Sequence, residues 1–418
     1  MSGSADVPAR LGSETRHQRG ALFQRPTRAL RRDLSQLVCA VVGLALGLLV
    51  PRLSGGPRVE SGQVATLLFT IGFGVISLVS IIYSVLFLVV QFSASTFTPR
   101  LGLFRDEPIV WRAFAFTIGV FVFCITSGLA IGGASGTVSV VVPLVAMLLT
   151  LVSLALMRTL QMKAFDSIQL AHALTAIVTR AHRLFDTLYV RPYDPREVAA
   201  APPPAAGAAL LRWQGPGAVL QQIDVAALVG AAKAHDCSIA LRVAPGQAVS
   251  QGVALADVRG GRLPERVLRD HMVTGLERTF HQDPQLPLRL LVDIALRALS
   301  PAVNDPATAV DCLDRLEDLL TRLAGRDLDV GRFADDDGAL RVTVPVPGWE
   351  QFVRTAVDDL VFAAGGSPMA LRRMRTLLAR LVEQSPEGRR GVLRDRLGWV
   401  HRTGSEASPL TWEDPADG

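Results

Sequence analysis

The sequence predicts a multi-pass α-helical membrane protein, with four transmembrane helices followed by a C-terminal α+β cytoplasmic domain. Three observations carry that expectation. Hydrophobic residues make up 49% of the 418, high for a chain that folds in water. The excess lies almost wholly between Leu34 and Met157, and after about Lys163 charge and periodicity are those of a globular domain. Arginines also gather at alternate ends of the apolar stretches, the asymmetry that orients helices in a bilayer.

A basic tail, 1–33, comes first, and Arg16, Arg19, Arg25, Arg28, Arg31 and Arg32 predict that it stays in the cytoplasm. The transmembrane domain is expected over 34–160. Its first span, Leu34 to Val50, ends at Pro51-Arg52; the long preceding tail and the lack of a clear small-residue cleavage site favour an uncleaved anchor over a signal peptide. Ser61 to Pro99 carries no charge, and its stretch Val64 to Phe92 is longer than the about 20 residues a crossing needs. Ala113 to Met157 is likewise uncharged, and Gly132-Gly133-Ala134-Ser135-Gly136 divides it into two spans. Outer loops would hold Arg52 and Arg58 in one case and no charge in the other. Arg100, Arg105 and Arg112 lie between spans two and three, with Arg158 and Lys163 after span four. Both termini are therefore expected in the cytoplasm. Lys163 and Lys233 are the two lysines among many arginines, which fits a GC-rich bacterial genome and hence a plasma (inner) membrane.

Beyond the spans, Ile168, Ala171, Leu174, Ile177, Ala181, Leu184 and Leu188 form an apolar stripe that predicts a helical stalk over 161–190. Arg191-Pro192 ends it, and Ala199 to Ala206 reads as a semi-rigid linker. A small β-rich module is expected over 191–265, with strands at Ala218–Leu220 and Ser238–Val243 around a helix near Asp224 to Ala234. The passage Val243 to Leu255 is similar to part of a lipoyl-type β-sandwich but lacks the lysine that modification needs. A mainly helical domain follows over 266–403, with a strand at Leu340 to Val346 and helices near Trp349–Ala364, Pro368–Glu383 and Arg389–His401. The tail 404–418 is expected to be disordered.

Two features could carry function. In span two, Gln63, Thr70, Ser77, Ser84, Gln91 and Thr98 recur every seven residues, with Thr66 and Ser80 three residues on, so one helix face is polar throughout. Such a face either packs helices closely or lines a water-filled path or subunit seam. No acidic or basic residue lies within a span, which disfavours a proton-coupled pump. In the soluble part, Leu288 to Leu299 is apolar on every helix face but one, where Arg289, Asp293 and Arg297 stand four apart. Those charges are expected to meet Glu277, Arg278 or Asp283, as a structural ion-pair ladder or as a pocket for an anionic ligand around Arg278, Arg289 and Arg297. Asn304 and Asp305 are further candidates, with Asp305 suited to cap the following helix and Pro306 to open it. On the ladder reading, Asp293→Ala would cost roughly 3 kcal/mol or more.

The net charge of +5 sits mostly in the N-terminal tail and excludes a nucleic-acid surface. Cys39, Cys124, Cys237 and Cys312 form no paired pattern. No HExxH, GxSxG or GxxxxGK motif occurs, so no enzyme, cofactor or metal site is expected; His271 and His281 near Glu277 are the best of weak metal candidates.

The phrase from Leu291-Val292-Asp293-Ile294-Ala295 through Ser300-Pro301-Ala302-Val303-Asn304-Asp305-Pro306 to Ala309 resembles the signature of a bacterial family of predicted membrane proteins, the domain of unknown function 2254 family. Gln91 to Leu101 and Gly275-Leu276-Glu277-Arg278-Thr279-Phe280-His281-Gln282-Asp283 fit the same family, and the likeness covers about Leu34 to His401. It implies four spans and a cytoplasmic domain, and no reaction. The favoured function is an oligomeric channel- or transport-like assembly passing a small ion and gated by its cytoplasmic domain. The alternative is a membrane-anchored sensor or scaffold whose spans only localise the soluble domain.

Overall fold

The computed structural model describes residues 28–53, 55–96, 108–132, 136–195, 208–407 and 412. Arg16, Arg19, Arg25, Thr98, Arg100, Arg105 and the linker 199–206 lie outside them, as does the centre of the glycine turn. The chain forms two compact units, divided between Ala173 and Leu174.

The first unit contains four helices long and apolar enough to cross a membrane. They are α1 (Arg28–Leu49), α2 (Ser61–Thr96), α3 (Pro108–Gly132) and α4 (Val141–Ile168). Strand β1 (Arg58–Glu60) precedes α2 and pairs antiparallel with β2 (Thr137–Ser139) before α4, which brings the two loops together at one end. A buried cluster of Val64, Leu68, Phe123, Cys124, Ile131 and Val142 joins α2, α3 and α4. Thr117 and Ser153 hydrogen-bond across α3 and α4 at 2.9 Å, satisfying each other where water is absent.

The second unit is mixed α and β. Helix α5 (Leu170–Leu188) follows α4 after a break at Gln169, so the stalk expected over 161–190 is divided between two helices. Its apolar stripe is absorbed into a core: Leu174, Ile177, Ala181 and Phe185 are fully buried. Three antiparallel strands form one sheet in the order β6 (Ala248–Val249), β4 (Ala218–Ile223), β8 (Met272–Gly275). Five form another, in the order β3 (Ala209–Arg212), β7 (Ala254–Gly260), β5 (Cys237–Leu241), β10 (Leu340–Thr343), β9 (Arg332–Ala334), with β10 parallel to β5. Helix α6 (Val225–Ala234), capped by the Asp224 carboxylate, contributes Leu228 and Ala232 to the core that also holds Ile239 and Val342. A boundary at 265/266 is therefore corrected, because β8, β9 and β10 complete sheets begun before it.

The remaining helices are α7 (Glu265–Asp270), α8 (Leu286–Ala298), α9 (Pro306–Ala324), α10 (Trp349–Val353), α11 (Asp359–Ala363), α12 (Pro368–Gln384) and α13 (Glu387–Ala407), with a π-helical turn at Arg354–Asp358. Helix α13 runs past the expected start of disorder at 404. Trp412 is buried, edge-on to His401 and under the Arg375 guanidinium.

Candidate functional site

The polar stripe sits on the face of α2 that turns away from its neighbours. Val64, Ala65, Leu68, Val75 and Val79 are buried, whereas Gln63, Thr70, Ser77, Ser80, Ser84 and Gln91 are all exposed. Among the described residues the stripe thus does not pack against the chain's own helices. Five of its hydroxyls donate to the carbonyl four residues back: Thr66 to Gly62, Thr70 to Thr66, Ser77 to Phe73, Ser80 to Ile76 and Ser84 to Ser80, at 2.8–3.0 Å. Back-bonding satisfies each donor within the helix and leaves the hydroxyl oxygen's lone pairs directed outward.

In the soluble unit, α8 is buried on nearly all sides, with Leu288, Leu291, Val292 and Ala295 at 0% exposure. Its charged face does not gather the expected set. Arg289 donates to Asp293 at 2.8 Å and to Asp359 of α11 at 2.6 Å, Arg297 is exposed, and Glu277 is an exposed side chain whose carbonyl accepts from Gln221. Arg278 and Asp283 pair with each other instead, through Nε at 2.6 Å and Nη2 at 2.9 Å. The ladder is therefore two separate clusters. An anion pocket built jointly on Arg278, Arg289 and Arg297 is corrected, because the helix face is fixed in one place and the loop before it in another.

Asp283 organises its cluster. Its carboxylate is 3% exposed, accepts both Arg278 bonds, and also accepts the backbone N–H groups of Gln285 and Leu286 at the start of α8. Gly246, at φ +92°, runs so close that a Cβ there would lie 2.1 Å from Asp283 Oδ2. Next to it, Gln282 accepts from Ile223 N–H at 2.8 Å and donates to Ile223 carbonyl at 3.1 Å, copying a strand partner at the end of β4. The Gln282-Asp283 pair thus fastens sheet, loop and helix.

Asn304 and Asp305 have local duties. Asn304 adopts φ +47°, a left-handed conformation that asparagine tolerates better than most residues. Asp305 accepts from Thr308 N–H at 3.1 Å and Thr308 hydroxyl at 2.6 Å, capping α9. Those bonds, the hydroxyl first, hold its carboxyl below its ordinary value.

A cavity of about 260 Å³ opens beside the Arg278–Asp283 pair, lined by the end of α5, the 244–247 turn, the 282–285 loop and the strand-flanking segments 330–333 and 344–347. Tyr189, which no sequence motif singles out, is among the residues around this cavity; its position one residue after the α5 stripe is the available signal. Among the described residues no group of three or more His, Cys, Asp or Glu is placed to hold a metal, His271 and His281 included.

Comparison with known proteins agrees with this architecture. Residues 34–380 match the profile of a family described as predicted membrane protein (DUF2254). Uncharacterized proteins of Mycobacterium bovis and of Mycobacterium tuberculosis are each 29% identical over 394 residues, covering 89% of this chain and 74% of theirs. No solved structure matches the chain.

Proposed function

The chain belongs to the DUF2254 family of predicted membrane proteins, and we propose that it acts in the bacterial plasma membrane as a homo-oligomer whose copies bring their α2 polar faces together around an ion- or water-conducting path. Both termini and the α+β unit lie on the cytoplasmic side in this reading, and that unit regulates the path rather than catalysing a reaction. The observation that carries it is the outward placement of Gln63, Thr70, Ser77, Ser84 and Gln91. A face that met only lipid would gain from apolar side chains at these positions. The spacing of seven also drifts by about 20° per repeat on a straight helix, so it stays on one seam only where helices wrap left-handed about each other. From Gln63 to Gln91 the stripe rises roughly 42 Å, more than the about 30 Å of hydrocarbon, which places amides near both interfaces and hydroxyls between.

The test is salt flux from vesicles containing the purified protein, together with disulfide trapping of Ser77→Cys. We expect trapped dimers and a flux reduced at least tenfold in the double variant Ser77→Leu, Ser84→Leu. Absence of both trapping and flux across a range of salts and voltages would refute the path, leaving an anchored sensor as the better reading.

A further inference from the structure

Several helix ends of the second unit lie together. Arg289 of α8 donates to Asp359 of α11 at 2.6 Å, and Gln285, four residues before it, donates to Thr355, four residues before Asp359, at 3.5 Å. The two segments therefore run side by side in the same direction. Helix α13 follows suit: Trp349 donates to the Arg389 carbonyl at 3.0 Å, Arg396 to Asp358 at 3.2 Å, and a Cβ on Gly365 would lie 3.9 Å from Thr403 Cγ2. The last turns of α8, α11 and α13 thus share one end of the helical layer. Asp305 N–H donates to the Ala298 carbonyl and Ser367 N–H to the Ala364 carbonyl, both at 2.8 Å, so α9 and α12 start where α8 and α11 stop.

That end turns apolar side chains to solvent. Phe362 is 80% exposed, Val303 49% and Met369 45%. Scattered exposed methyls are ordinary on a folded surface, but a phenylalanine this bare, with two further apolar residues at the same end, marks a place where something docks. Charge narrows the partner. Arg297 at the end of α8, Arg372 early in α12 and Arg402 late in α13 form no ion pair among the described residues. Of the nearby acids, Asp293 and Asp359 are held by Arg289, Asp358 by Arg396 and Asp305 by Thr308, while Asp311 and Glu406 stay exposed, which leaves the arginines in excess.

An apolar centre rimmed by guanidinium groups suits an anionic bilayer, where rings and methyls enter the boundary between headgroups and acyl chains and arginines meet lipid phosphates. A bilayer is also a partner that the chain brings with it, through four helices able to cross one. Tethering supplies an effective concentration of about millimolar, so a contact too weak to hold a free domain suffices for a joined one. We propose that this end of the second unit is a membrane-docking surface, with Phe362, Val303 and Met369 entering the interface of an anionic bilayer and Arg297 and Arg402 binding its phosphate groups. The surface belongs to the second unit alone and stands whether or not the spans conduct.

Gly366 lies at the same end, exposed and with open space where a Cβ would stand, so Gly366→Cys can carry a polarity-sensitive fluorophore without replacing a docking residue. The labelled full chain is reconstituted into vesicles of phosphatidylcholine alone or mixed with phosphatidylglycerol, and unsubstituted protein taken through the same labelling gives the background from the native cysteines. Lipids brominated near the headgroup quench a probe that enters the bilayer. We expect quenching at least twofold stronger with the anionic lipid, and weakened by high salt. Adding Phe362→Ala, or Arg297→Gln with Arg402→Gln, should each cut it at least twofold; all three side chains are exposed, so the fold is kept. Leu340→Cys, labelled on an exposed strand residue, should show no quenching. The proposal is overturned by an unquenched probe in anionic vesicles, by equal quenching in phosphatidylcholine alone or from Leu340→Cys, or by quenching that neither set of changes reduces. It is equally overturned by a probe shielded only at high protein density and released as copies are diluted in the bilayer, which would mark a contact between copies.

Discussion

Single charged residues in the second unit differ in worth because they differ in what replaces their partners. Arg389 is buried and donates to the carbonyls of Leu323, Ala324 and Arg326, the first two lying at the C-terminus of α9, where the Leu323 carbonyl also accepts the Arg326 N–H at 3.1 Å. Its guanidinium also lies over the Tyr193 and Trp349 rings, at 4.3 and 5.2 Å. Arg389→Met removes the donor to the Ala324 and Arg326 carbonyls and leaves Leu323 with its backbone partner, and we expect a loss of about 3 kcal/mol. Asp293→Ala is milder. Arg289 keeps Asp359, and with 31% of its side chain exposed it remains in reach of water, so about 1 kcal/mol is expected in place of the larger figure a dry ladder would give. Thermal and denaturant unfolding in micelles would rank the two. Asp305 adds a pH signature. Its folded-state carboxyl sits below its ordinary value of 3.8, so its stabilisation is complete above that value and is lost as pH falls through the lowered one. The melting-temperature gap between the parent and Asp305→Asn, a neutral cap, should be full at pH 7 and close in strong acid.

At the scale of helices, the contact between α1 and α3 is set by what is missing. A Cβ on Gly43 would meet the Gly119 carbonyl oxygen at 2.2 Å, and one on Gly119 would meet the Cys39 carbonyl oxygen at 2.8 Å. Backbones approach this closely in lipid because packing, not the hydrophobic effect, holds helices together there. Gly43→Leu should force the helices apart and cost about 2 kcal/mol, while Gly74→Leu, on a helix face with open space, should be close to neutral. Unfolding of both variants in the same micelles provides the check, and an unaffected Gly43→Leu would mean that α1 sits elsewhere. The Gly43 and Gly47 pair is visible in the sequence, yet only the structure identifies its partner as Gly119 and Thr126 rather than a second copy. The α2 stripe is the opposite case: its period was legible, and the side it faces was not.

For the molecule as a whole, apolar length and periodicity determined the four candidate spans, and the phrase around Asn304-Asp305-Pro306 determined the family. The Asp305 cap was equally legible, since capping engages a residue with neighbours three positions away. These are local properties, written in consecutive residues. Tertiary structure alone decided that β10 pairs with β5, that Arg278 leaves the α8 face to clamp Asp283, and that Arg389 finishes α9 from another helix. It also decided that Tyr189 borders a cavity. Such partners are distant in sequence, and each is selected by the simultaneous packing of several elements, a condition that no stretch of consecutive residues records.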